Sequence, residues 1–143
     1  MMTVREFAKH FDLAWLAPDA QEKDIIAACA TAAKYQVNSV NVNSCWAELA
    51  KKELAGTGVG PSAVIGFPYG ACISECKFLE LERMVELGCT ACDMVVNIGH
   101  VKDRKWKEIQ EEIAAVKAAC LGRPLKVIIE TCLLTDMEKM KLC

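Results

Sequence analysis

The stretch Leu125-Lys126-Val127-Ile128-Ile129-Glu130-Thr131 has the composition of a buried strand that carries one ionisable side chain near each end. Apolar, β-branched residues fill its middle, which is typical of a strand buried on both faces of a parallel sheet. Lys126 and Glu130 stand four residues apart and therefore project from the same face of such a strand. The lysine must reach solvent or a partner, because an unpaired ammonium is very costly to bury.

A second stretch, Cys92-Asp93-Met94-Val95-Val96-Asn97, has the same form, with an acid at its entrance and an amide at its exit. If the two strands are neighbours in the sheet, Asp93 and Lys126 meet inside it. A buried carboxylate and a buried ammonium satisfy each other, so we predict that they pair. This pair is the first candidate for chemistry.

Predicted strands over residues 39–43, 63–67, 91–98 and 125–131 alternate with predicted helices. The pairs Thr3/Glu6, Asp19/Glu22 and Thr135/Glu138 have capping-box spacing and predict helix starts. We interpret residues 11–16 only as a brief apolar segment that contains Asp12. Alternating strands and helices imply a parallel sheet with right-handed crossovers. We therefore predict an α/β fold of the parallel (β/α) TIM-barrel type, with N-terminal helices and about four of the eight strand–helix units. Residues 1–143 would form a single, partial barrel domain, since a whole barrel needs about 250 residues.

The composition excludes several classes of function. The chain is 53% hydrophobic and 25% charged, and its formal net charge is -2. This balance argues against a nucleic-acid or an acidic-membrane partner. No apolar run reaches the roughly 18 residues of a membrane span. The polar start of the chain lacks an apolar signal core, so we predict a cytoplasmic location.

Nine cysteines are present, and four of them have a spacing that a zinc site could use: Cys72, Cys76, Cys89 and Cys92. Cys76 belongs to the predicted apolar side of a helix, and the last two flank the start of a strand. We therefore expect reduced thiols, several of them in the core, and no metal; a zinc module remains the competing hypothesis.

The glycine-rich run over residues 56–60 follows a helix and precedes a strand. A loop that binds phosphate at a helix N-terminus needs the opposite order, so we interpret this run as a turn. We expect no cofactor.

Four stretches together resemble the deoxyribose-phosphate aldolase family, in order and with compatible spacing. They are residues 12–20 (DLAWLAPDA), 64–70 (VIGFPYG), 93–99 (DMVVNIG) and 125–131 (LKVIIET). The match covers nearly the whole chain but only the N-terminal part of the family's TIM barrel.

The resemblance implies a class I aldolase that reversibly cleaves 2-deoxyribose 5-phosphate to acetaldehyde and glyceraldehyde 3-phosphate through a Schiff base. Asp93 and Lys126 match an aspartate and a lysine that move protons, and Asp12 matches an acid close to the bound sugar. The residues support this implication, because a carboxylate beside an ammonium keeps both groups ionised and can position a water molecule. The competing interpretation is a purely structural salt bridge.

The chain departs from the family at Ala14, Asn41 and Ser44, where the family usually has threonine, cysteine and proline. The lysine that forms the Schiff base is expected beyond Cys143, with the loops that bind the phosphate, so none of the lysines here matches it. The resemblance thus implies phosphorylated-sugar and aldehyde substrates, and it also implies that the chain alone is inactive or nearly so. The alternative is a non-catalytic half-barrel that assembles as a homo-oligomer, because an open sheet leaves an edge and a face uncovered.

Overall fold

The computed structural model describes residues 2–143. Their strands form one parallel sheet in which each strand pairs with the next along the chain. The strands are β1 (Asp12–Trp15), β2 (Ser39–Val42), β3 (Gly60–Ile65), β4 (Ala91–Val95) and β5 (Leu125–Ile128).

The helices that connect and flank these strands are α1 (Val4–Ala8), α2 (Glu22–Tyr35), α3 (Ala47–Glu53), α4 (Ser74–Leu87), α5 (Ile98–Lys102), α6 (Trp106–Ala119) and α7 (Asp136–Leu142). Short 3₁₀ turns cover Ser44–Trp46 and Thr131–Leu133. Across residues 2–143, every helix is too short or too polar to cross a bilayer.

The predicted fold class is confirmed, but the sheet has one strand more than the four we predicted. The additional strand is β1, which pairs with β2 so that Asp12 stands opposite Ser39. This strand is only four residues long, and its sequence has too few alternating positions to separate a strand from a loop. Its identity depends on pairing with β2.

Two of the three predicted capping boxes are present, at the starts of α1 and α7. The third prediction was wrong, because α2 begins after Gln21, whose backbone N–H donates to the Asp24 carboxylate at 2.9 Å. Asp19 lies instead in a turn that the Ala20 N–H closes onto the Ala17 carbonyl. Capping requires a side chain next to the first helical residue, and this turn places Gln21 there.

The helices pack on one face of the sheet. Val40 and Val42 of β2 pack with α2 and α3, whereas Ile65 and Met94 pack with α4 and α6. A third group of apolar residues joins Val127 to α5 and α6. The opposite face carries Ser39, Asn41, Ser62 and Asp93, which are all buried. Among residues 2–143 the core clusters that contain helix residues lie on the other face, so we attribute the burial of these polar side chains to the curvature of the sheet itself.

The four cysteines with zinc-like spacing are dispersed. Cys89 and Cys92 lie in the core between the sheet, α4 and α6, whereas Cys72 is half-buried and Cys76 is exposed. The prediction that Cys76 lies on the apolar side of α4 was therefore wrong; Lys77, the next residue, occupies the buried position. Over residues 2–143 no group of three or more potential ligands has a geometry suited to a metal ion.

Candidate active site

Asp93 and Lys126 stand opposite each other on the adjacent strands β4 and β5. The Lys126 Nζ donates to Asp93 Oδ2 at 3.0 Å. The contact that the sequence predicted is therefore present. Nearly half of the Lys126 side chain (48%) remains exposed, so the lysine is paired without being buried.

Asp12 is the third member of this group, and it lies on β1, the strand at the opposite edge of the sheet. The Lys126 Nζ also donates to Asp12 Oδ2, at 2.6 Å. A flat sheet would hold β1 and β5 about 19 Å apart, because neighbouring strands are about 4.8 Å apart. The contact exists because the sheet curls, as strands 1 and 5 do in an eight-stranded barrel, where they face each other across the interior.

Two further side chains fix the Asp12 carboxylate. The Ser39 hydroxyl donates to Asp12 Oδ1 at 2.6 Å, and the Asn38 Nδ2 donates to the same oxygen at 2.8 Å. Both residues come from the start of β2. Asp12 therefore has a donor on each oxygen, and its orientation is fixed from two directions.

Asn41 performs a related task for Asp93. Its Nδ2 donates to Asp93 Oδ2 at 2.6 Å, and both residues are more than nine-tenths buried. Asn41 Oδ1 and Asp93 Oδ1 are buried and accept no hydrogen bond from any residue of the described chain. Buried acceptors without a donor are rare, and they indicate a place where water or a ligand binds.

The three ionisable groups shift one another's pKa values. Burial opposes the ionisation of Asp12, but hydrogen bonds from Lys126, Ser39 and Asn38 outweigh it and lower the pKa. For Asp93 burial is the stronger effect, and its pKa is raised even though Lys126 stabilises the carboxylate. Partial burial disfavours the Lys126 ammonium, yet hydrogen bonds to Asp12 and Asp93 raise its pKa. The cluster thus contains two carboxylates with pKa values displaced in opposite directions around one ammonium, an arrangement suited to moving a proton.

Asn38 and Ser39 were not predicted to support the site, and Asn41 was noted only as a position that departs from the family pattern. A signal for the last two was present: Ser39 and Asn41 alternate with Val40 and Val42, so they must share one face. Their phase agrees with that of Asp12 through the register of β1 with β2.

Glu130 and Asn97 do not join the cluster. Strand β5 ends at Ile128, and Glu130 has a left-handed backbone (φ 49°), so the alternation that placed it in phase with Lys126 does not extend that far. Asn97 follows β4 and caps α5, where its Oδ1 accepts from the His100 N–H at 3.1 Å.

A separate ion pair, which is buried, lies on the helical side of the sheet. The side chain of Lys77 in α4 is fully buried, and its Nζ donates to Glu112 of α6 at 2.9 Å and to the Val95 carbonyl at 3.0 Å. The signal in the sequence was the spacing of Lys77 with the buried Leu81 and Met84 of the same helix face. This pair fastens two helices to the end of β4 and is separated from the interior cluster by the sheet.

Comparison with known proteins agrees with this geometry. The family model for DeoC/LacD family aldolases matches residues 7–141. Deoxyribose-phosphate aldolases from Mycoplasma mycoides and Actinobacillus succinogenes are each 42% identical to the chain, over 94% and 99% of its length. The chain spans 69% and 63% of those two relatives.

Structural comparison gives the same result. A crystal structure from Coccidioides immitis, provisionally assigned as a deoxyribose-phosphate aldolase, superposes with a TM-score of 0.92 at 32% identity. The superposition covers 99% of this chain and 56% of that one. A family match over almost the whole length, together with these relatives, establishes the lineage. The chain belongs to the DeoC/LacD family of aldolases.

Proposed function

We propose that residues 1–143 supply the first five strands of a deoxyribose-phosphate aldolase type lyase, which reversibly cleaves 2-deoxyribose 5-phosphate to acetaldehyde and glyceraldehyde 3-phosphate. The observation that carries this proposal is the group formed by Asp12, Asp93 and Lys126 on the interior face of the sheet. Packing alone does not require two carboxylates around one ammonium, because apolar side chains would fill the same space without the cost of burying charge.

In this proposal Asp93 and Lys126 are catalytic residues that move protons during Schiff-base chemistry. A Schiff base between a lysine amine and acetaldehyde withdraws electrons from the neighbouring carbon, which must gain or lose a proton as the carbon–carbon bond breaks or forms. Asp93 accepts a proton more readily than an ordinary aspartate because burial raises its pKa. Lys126 keeps that carboxylate oriented and supplies a positive charge beside it.

Asp12 is proposed to bind substrate. Its carboxylate is about one quarter exposed and is held by three donors, so it presents a fixed negative charge to the interior. A fixed acceptor of this kind suits a sugar hydroxyl.

The lysine that forms the Schiff base is proposed to come from the remainder of the barrel. Lys126 and Lys77 each form ion pairs with carboxylates, which favour the ammonium over the free amine that Schiff-base formation needs. The 142 matched residues make up 63% of the Actinobacillus relative, which leaves about 80 residues outside the match, enough for three further strand–helix units of an eight-unit barrel.

A chimera tests this proposal. Residues 1–142 replace the matched part of one of the full-length relatives, and cleavage of 2-deoxyribose 5-phosphate is followed by the release of acetaldehyde. We expect activity, and we expect Asp93→Asn and Lys126→Met to reduce it by about 100-fold or more, as for loss of an acid–base group. Lys107→Met, on the exposed face of α6, is the matched control and should keep full activity. Full activity in both site variants would overturn the assignment.

A second experiment uses the chain alone. Acetaldehyde and borohydride should leave the protein without a stoichiometric adduct, because the lysine that forms the Schiff base is proposed to lie elsewhere. A single reduced adduct located on Lys126 or another lysine of this chain would contradict that part of the proposal.

A non-catalytic homo-oligomer is the alternative, and it is favoured by the open edge of β5 and by exposed apolar side chains on α7, among them Met137 and Met140. Two copies would bring ten strands to a barrel that closes with eight, so a dimer cannot complete it strand for strand. Sedimentation of the chain decides: a monodisperse monomer with a cooperative melt would reject the alternative.

A further inference from the structure

We propose that Asn41 is a positioning residue: it occupies Oδ2 of Asp93 and so leaves Oδ1 as the oxygen that accepts the proton. The inference rests on the proposed role of Asp93, and it concerns how that carboxylate is oriented. Asn41 is on β2 and Asp93 is on β4, so their hydrogen bond crosses the intervening strand β3.

The two oxygens of Asp93 have different surroundings. Oδ2 accepts from the Asn41 Nδ2 at 2.6 Å and from the Lys126 Nζ at 3.0 Å. Oδ1 is buried and receives no donor from residues 2–143. An oxygen that already accepts two strong hydrogen bonds is a poor proton acceptor, because protonation would break one of them. Proton transfer to Asp93 is therefore directed to Oδ1.

The orientation of the Asn41 amide follows from the same contact. If the amide were turned over, its oxygen would face the carboxylate oxygen and two acceptors would repel each other. With Nδ2 on Asp93, the Asn41 oxygen remains as a second buried acceptor. Each of these two oxygens can still accept a hydrogen bond, so a water molecule or substrate hydroxyl that reaches either of them would bind as the donor.

Packing explains why Asn41 can reach across a strand. Its neighbours in register are small, Ala14 on β1 and Ser62 on β3. The Ser62 hydroxyl is occupied with the Ala91 carbonyl at 3.0 Å and does not compete for Asp93. The charged groups that face Asp93 are Lys126 on β5 and Asp12 on β1, and the hydrogen bonds of Lys126 go to the two carboxylates.

The test is the pKa of each aspartate, measured by ¹³C NMR of the side-chain carboxyl carbons in the intact chain. Asn41→Leu keeps the shape of the side chain and removes its donor. We expect the pKa of Asp93 to rise by about one unit, while that of Asp12 stays constant. Asn38→Leu is the matched control: it removes the equivalent amide donor from Asp12 and should raise the pKa of Asp12 alone.

An unchanged pKa of Asp93 in folded Asn41→Leu would overturn the proposal, as would equal shifts of both aspartates in both variants. Asn41→Ser keeps a donor on a shorter side chain, so the pKa of Asp93 should rise less in this variant than in Asn41→Leu. If Asn41→Leu does not fold, the unmodified chain still decides, because the Asn41 amide protons should titrate with the midpoint of Asp93. Amide protons that do not follow this midpoint would reject the contact. None of these readouts requires aldolase activity, so a failed chimera and a failed positioning role are distinguishable.

Discussion

Lys126 on β5 and Asp12 on β1 are joined by a 2.6 Å hydrogen bond across the interior of the curved sheet, although 114 residues separate them in the chain. Lys126 also contacts Asp93 on the neighbouring strand, so one ammonium connects the first, fourth and fifth strands. The sheet must keep its curvature for both contacts to persist. The cluster is therefore a candidate site, and its contacts also depend directly on the barrel-like curvature of the sheet.

Replacing Lys126 by methionine should destabilise the fold by about 1 kcal/mol, a modest value because the ammonium is half exposed and solvent screens its charge. Without it, the two carboxylates of Asp12 and Asp93 repel each other. Urea unfolding at neutral pH measures the change.

A double-mutant cycle with Asp12→Asn and Lys126→Met isolates the bond across the interior. We expect a favourable coupling energy of about 0.5 kcal/mol or more. Additive effects would mean that the two side chains do not interact in solution.

The two aspartates should contribute to stability with opposite dependence on pH. The pKa of Asp12 is lowered on folding, so its contribution is present above its ordinary pKa and is lost as the pH falls through the lowered value. The pKa of Asp93 is raised, so its contribution is present at low pH and is lost as the pH rises through the raised value.

Unfolding free energies measured from about pH 3 to 7 test this difference, since carboxyl groups titrate in that range. Asp12→Asn should make the acid-side loss of stability smaller. Asp93→Asn should remove the decline toward neutral pH. If both substitutions changed the slope of the unfolding free energy against pH in the same direction, the opposite pH dependence of the two aspartates would be contradicted.

Lys77→Met should destabilise the chain by about 3 kcal/mol, because it leaves Glu112 and the Val95 carbonyl without their buried donor. Thermal or urea unfolding measures this effect. The matched control is Lys107→Met, which removes an exposed lysine and should change stability by less than about 0.5 kcal/mol. Equal effects of the two substitutions would show that the buried pair contributes nothing specific.

Cysteine alkylation should separate the thiols into two classes. Burial raises the pKa of Cys29 and Cys89 to about 11 and that of Cys92 to about 12. Near pH 8 their thiolate fractions are then about 100-fold (Cys29 and Cys89) and about 1,000-fold (Cys92) below that of an ordinary cysteine, and access is also restricted. Exposed Cys45 and Cys76 should react quickly with iodoacetamide, and mass spectrometry locates the labels. All nine should react in urea; rapid native labelling of Cys92 would contradict this packing.

Much of the fold could be predicted because it depends on local pattern. Apolar runs and caps located β2 to β5 and the starts of α1 and α7, and they implied a parallel sheet. The prediction failed where the pattern was short or ambiguous. Strand β1 has four residues, and the cap of α2 depends on a preceding turn. The buried position of Lys77 also escaped prediction, because a lysine is normally a surface residue.

The sequence by itself determined the order of strands β2 to β5, the family and the meeting of Asp93 with Lys126, since neighbouring strands follow from chain order in a parallel (β/α) fold. Only the tertiary structure decided that Asp12 and Asn41 join them. Both contacts join strands that are not neighbours in the sheet, so they depend on how far the sheet curls. Curvature is a property of the whole packed sheet, set by twist and by the helices against its outer face, so it cannot be read from any one segment.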